Sequence, residues 1–132
     1  MTYVFDDCTK LSGSTGGAPI QLSSAAVDWA NSVVVHAGSG THDGTRQTVF
    51  QEVSLYITNR HSSTAATVVI SYSSSGGDMI YIQVPAQTTV SLFSDGRPLV
   101  LTSSQTLRVH CPSGPAANNI SVMGKVTQAT WE

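Results

Sequence analysis

Four residues in the first half of the chain carry groups suited to metal or acid–base chemistry: His36, His42, Asp43 and Glu52. Neutral imidazole and carboxylate oxygen are zinc ligands, and the same pair moves protons in general acid–base catalysis. Their spacing matches no ligand pattern, such as two histidines one helical turn apart. His61 falls in a polar loop and His110 on a strand face opposite Val109, so both are expected as surface or interface residues. Ser12-Gly13-Ser14 and Ser73-Ser74-Ser75 lack the strand-to-helix elbow that presents a nucleophilic serine. Gly13, Gly16 and Gly17 are followed by neither a helix nor a Lys-Ser/Thr pair, so they form no phosphate cradle. Asp6, Asp7, Asp28, Asp43, Asp78 and Asp95 lack the alternating Asp/Asn run of a calcium loop. The residue types therefore predict no catalytic residue, no metal ligand and no cofactor: a protein that is not an enzyme.

The 132 residues suit one domain. Only 11% are charged, against about 25% in an average soluble domain, and serine and threonine take their place. Lys10, Arg46, Arg60, Arg97, Arg108 and Lys125 are the only cations, they are scattered, and the net charge is -2. Phosphate contacts and counterion release need clustered cations, so nucleic acid and anionic membrane are not expected partners. No apolar run approaches the roughly 18 residues of a membrane span. Met1 to Asp7 is acidic and lacks an apolar signal core, which leads us to expect synthesis in a reducing cytoplasm. Cys8 and Cys111 are accordingly expected as free thiols, and Asn119-Ile120-Ser121 as a chance glycosylation sequon.

The elements that would position these residues are strands. Apolar residues alternate with polar ones over Thr48–Thr58, Thr67–Tyr72, Met79–Val84, Val90–Leu92, Leu99–Leu101, Leu107–Cys111 and Ile120–Val126. Turn chemistry separates them at 59–65, Gly76-Gly77, Pro85-Ala86-Gln87, Asp95–Pro98 and 112–117. Ser32 to Ala37 reads as a further strand, Gly38 to Arg46 as a long polar loop, and Ala25 to Ala30 as a helical turn or an irregular segment. The spacing leaves no room for crossover helices. The expectation is an all-β protein, an antiparallel β-sandwich of jelly-roll or Greek-key type with eight or nine strands. Residues 1–24 read as an N-terminal arm or short edge strands, and 25–132 as the sandwich domain.

Several strands carry large side chains on both faces. Phe50 and Tyr56 oppose Val53 and Leu55, and Tyr81 opposes Ile80 and Ile82. A one-sided sandwich needs only one apolar face, so this pattern points either to subunit contact or to a thick core. Phe50, Tyr56, Tyr81, Trp29 and Trp131 are the candidate interface anchors. An exposed row of Tyr56, Tyr81 and Trp29 would instead make a carbohydrate-binding module.

One stretch resembles a known type of protein. It runs through Val33-Val34-Val35-His36-Ala37, Phe50 to Asn59 and Ser62 to Ile70. It continues through the Val84-Pro85-Ala86-Gln87-Thr88-Thr89-Val90 corner, Leu107-Arg108-Val109 and Ile120 to Val126. In this it is similar to the small β-sandwich accessory proteins of tailed-bacteriophage virions. There a strand ending in Thr-Asn also leads into a Ser/Thr/Ala loop, and a Pro-Ala-Gly corner opens a later strand. Gln87 stands here in place of the usual glycine, and Ser103-Ser104-Gln105 in place of Gly-Asp. The resemblance implies a capsid decoration (cement) protein on the virion, a homotrimer whose partner is the major capsid protein, or else a tail or tail-fibre component. It carries no catalytic residues across, and it implies that an exposed edge strand or the N-terminal arm joins the major capsid protein's sheet by strand addition.

Overall fold

The computed structural model describes residues 3–5, 9–15, 18–38, 41–42, 46–72, 79–93, 99–101, 105–115 and 119–131. Their side chains are described over 10–15, 18–38, 51–72, 79–93, 99–101, 105–115 and 119–127. Within them lie twelve strand segments: β1 (Tyr3–Phe5), β2 (Thr9–Lys10), β3 (Ile20–Gln21), β4 (Val33–Ala37), β5 (Thr41–His42), β6 (Arg46–Asn59), β7 (Ala66–Ser71), β8 (Met79–Val84), β9 (Thr88–Leu92), β10 (Leu99–Leu101), β11 (Thr106–Ser113) and β12 (Ile120–Trp131). Nine of these exceed two residues, which is the expected count, and no helix occurs among the described residues.

All pairings are antiparallel and fall into two sheets. In the larger sheet β12 and β6 run side by side from Ile120↔Asn59 to Thr130↔Thr48. The far edge of β12 carries β1, β2 and β3 in tandem. The far edge of β6 carries β9 and β10 in tandem, with β5 closing a hairpin at Gln47 and Arg46. The smaller sheet has the order β4-β11-β7-β8. With the tandem segments counted as one position each and β5 as part of its hairpin, the chain passes through eight positions. The sheets then read first-eighth-third-sixth and second-seventh-fourth-fifth, the strand order of a jelly roll.

Alternation explains the packing. Val53, Leu55 and Ile57 of β6 are buried, as are Val122 and Val126 of β12, Val68 and Ile70 of β7, and Leu107, Val109 and Cys111 of β11. Each side chain of this size contributes about 1.5–3 kcal/mol when taken fully out of water. A slip of one residue would move a whole row to solvent, so the core locks the register. Gly124 faces inward opposite Leu55, and a Cβ there would strike the Ser54 carbonyl oxygen and the Leu11 and Leu55 methyl groups. That gap in a central strand is what lets Leu11 enter the core.

Of the two readings for residues 1–24, an arm or short edge strands, their described segments are edge strands on β12, and Leu11 and Leu22 belong to the core. Two other local expectations need correction. The polar loop after Ala37 contains β5, because Thr41 and His42 pair with Gln47 and Arg46. Pro112 lies within β11 and not in the following loop. Proline cannot donate to a ladder, and here β4 has already ended at Val33↔Val109 while the register to β7 shifts between His110 and Ser113. Ala25 to Ala30 is irregular, held by turns such as Ala26 N–H to Ser23 C=O.

Candidate interaction surface

The residues best suited to chemistry do not converge. His36 lies on β4 where the register slips between Leu107 and Arg108, and this bulge turns both Val35 and His36 into the interior. Its Nδ1 accepts the Ser12 main-chain N–H at 3.1 Å, so Nε2 carries the proton and donates to Gln51 Oε1 at 2.8 Å. Burial holds the imidazole below its ordinary pKa, partly offset by the Gln51 bond. A ring saturated in this way is a structural pin. Glu52 follows Gln51 and therefore points to the opposite face of β6. The side chain of His42 and all of Asp43 lie outside the described residues. Among the described residues no cluster of three metal-ligating side chains exists. Cys111 is a buried free thiol whose pKa burial pushes up, and Cys8 is outside the described residues.

The loop after β6 is also held by one side chain. Asn59 is fully buried and donates from Nδ2 to the carbonyls of Thr64 (2.9 Å) and Val84 (3.1 Å). Its Oδ1 accepts the His61 N–H, and His61 Nδ1 in turn accepts the N–H groups of Ser63 and Thr64. His61 thus organises its own loop.

On the outer face of the smaller sheet, Val34, Arg108, Ser71 and Met79 form one cross-strand row, and His110, Val69 and Tyr81 the next. The face is buried at its centre, since Val69, Ser71 and His110 are hardly exposed, which corrects the expectation of His110 as a surface residue. Trp29 lies under the Arg108 guanidinium, 5.6 Å from ring centroid to Cζ. Trp29 Nε1, His110 Nδ1 and Ser71 Oγ are buried without a hydrogen-bond partner among the described residues. Burial lowers the His110 pKa, and the Asp28 carboxylate opposes that shift. At β7, therefore, both faces of the strand are buried within one chain.

The candidate anchors separate. Tyr81 is 68% exposed on this smaller sheet, whereas Tyr56 is 39% exposed on the outer face of the larger one, opposite Met123. Trp29 is half-buried under Arg108, not an exposed anchor. The side chains of Phe50 and Trp131 are outside the described residues. Tyr56 and Tyr81 lie on different sheets and form no common platform. Lys10 and Lys125 are paired on the same face as Tyr56, with Val100 opposite Glu52 further along. A pocket beside Lys10, Ser14 and Met123 holds about 30 Å³, room for water and too small for an organic ligand.

The sheet edges differ more than the faces do. The edge of β4 is closed by the preceding turn: Gly13 N–H donates to Val35 C=O at 3.0 Å, and Ala37 N–H donates to Ser12 Oγ at 2.8 Å. The edge of β8 has no such cover among the described residues, for Met79 to Gln83 pair through the main chain with β7 alone. The signal for this was present in the sequence, as six consecutive residues, Met79 to Val84, without charge, proline or glycine. Comparison of the chain with protein-family models, with curated proteins and with solved structures returns no match.

Proposed function

We propose that this protein is a non-enzymatic structural component of a tailed-bacteriophage virion: a decoration protein on the capsid surface, a homotrimer that bridges major capsid protein subunits. The observation that carries the reading is the sequence resemblance from Val33 to Val126, laid on a jelly roll, an architecture that viral capsid and lectin domains use. The sparse charge and the exposed Tyr56, Met123, Val100 and Tyr81 agree with a surface that neighbours cover. The mechanism is mechanical. Weak contacts to several capsid subunits act together, so avidity resists internal pressure without any one strong site.

Quantitative mass spectrometry of purified virions tests this. The expected result is a copy number in fixed proportion to the major capsid protein. A few copies per particle would move the protein to the tail or its fibres, and absence from the particle would overturn the virion reading.

A further inference from the structure

We propose that the outer edge of β8 receives β8 of a second copy of this chain, antiparallel, about a two-fold axis at Tyr81. The two four-stranded sheets then become one sheet of eight strands. The inference does not rest on the virion reading.

An uncovered edge presents main-chain N–H and C=O groups that only another extended strand satisfies in register. Natural edges are blunted by charge, proline, bulges, brevity or a covering loop. In this molecule β4 has its turn and its bulge. The edges of the larger sheet are broken into pieces of two to five residues. The longest of these, β9, shows mainly threonine and serine outward and stops at Phe93, whose φ is 57°. Among the edges formed by the described residues, only β8 offers six unbroken residues, none of them charged.

The strand is also its own complement. Directly opposed residues in an antiparallel pair share a face, so a two-fold self-pairing must be centred on a residue. Centring on Tyr81 sets Ile80 against Ile82 of the second copy on the core side. Met79 then meets Gln83, and Tyr81 meets Tyr81, on the outer side. Ile80 and Ile82 pack against the core yet stay half-exposed, and Tyr81 is the most exposed of the large hydrophobic side chains. These are the three side chains the pairing would cover, and no charge on either strand opposes it. The contact is isologous and closed, so it ends at two copies and does not propagate.

Multi-angle light scattering on the intact protein reads the result. The expected mass is an even multiple of the chain: a hexamer when the threefold contact of the decoration reading is also made, or a dimer, which would keep the β8 pairing and exclude the homotrimer. Tyr81→Lys, at an exposed site, is expected to halve that mass while leaving the circular dichroism spectrum unchanged. A wild-type monomer or trimer would overturn the proposal, the trimer leaving the decoration reading intact. Tyr81→Cys supplies an independent readout. A two-fold at this residue sets its Cα atoms about 4.5–5.5 Å apart, within disulfide range. Mild oxidation should link two chains through position 81, whereas Gln83→Cys should link far less. Equal linking at both positions, or none at 81, would rule out this register.

Discussion

The two edges of the smaller sheet meet the same physical demand and treat it differently. At β4 the chain supplies its own closure, with Gly13 and Ser12 taking up main-chain groups of Val35 and Ala37 and with His36 binding back to the Ser12 N–H. At β8 only the far end is held, where Asn59 donates to the Val84 carbonyl. One edge is thus sealed by segments distant in sequence, and the other is left fit for a strand from outside. What makes β8 available is the absence of any loop across it among the described residues, since its sequence would pair equally well inside a sheet.

The largest expected effect comes from removing the one restraint on β8. Asn59→Ala leaves the buried Val84 carbonyl and the part-buried Thr64 carbonyl and His61 N–H without their partner, and should cost about 2–4 kcal/mol in urea denaturation. Hydrogen exchange should rise first at Val84 and in the 60–65 loop. Protection unchanged there would remove Asn59 from its role.

Gly13→Ala attacks the sealed edge. An added methyl would meet the Val34 and Val35 carbonyl oxygens, so the turn must lift from β4. A loss of about 1–3 kcal/mol is expected, of the size seen on overpacking. Exchange protection should fall over Val33–Ala37 and hold over Met79–Val84. If both strands loosened together, the edges would not be independent.

Acid tests the same seal. His36 and His110 both have pKa values lowered from 6.5 by burial, so the unfolded chain binds more protons than the folded one over the window below 6.5. Stability is therefore full above that value and falls as pH drops through it, with a slope of at most about 1.4 kcal/mol per pH unit for each histidine. Replacing His36 with glutamine should flatten the profile by the share of one group. An unchanged slope would mean that His36 does not take up the proton on unfolding.

The smallest effect is at the corner joining β8 to β9. Gln87 sits at φ 55°, the left-handed region where a side chain costs energy and glycine does not. Gln87→Gly should stabilise by about 0.5–1 kcal/mol in thermal unfolding, reduced by the greater freedom of glycine in the unfolded chain. It should leave the oligomeric mass untouched, which makes it a control for Tyr81→Lys.

Much of this was legible beforehand. Alternation over β6, β7, β8, β11 and β12 located those strands and their inward faces, because the side-chain period of two is written directly into the residue order. The candidate surface was only half legible. Tyr81 is exposed, but the candidate row set it beside Tyr56, which lies on the other sheet, and Trp29, which lies under an arginine. Periodicity says which face of a strand a residue occupies and nothing about which sheet the strand joins.

By itself the sequence determined an all-β chain, the register-defining apolar rows, the scarcity of charge and the uncharged run at Met79–Val84. These depend on local residue types and a spacing of two. Tertiary structure alone decided the jelly-roll order, the capture of Tyr3–Phe5, Thr9–Lys10 and Ile20–Gln21 along β12, the closing of β4 by Ser12 and Gly13, and the exposure left at β8. Each joins segments far apart in the chain, and such pairings depend on which edge is vacant when the sheets close, a property that no short window of residues contains.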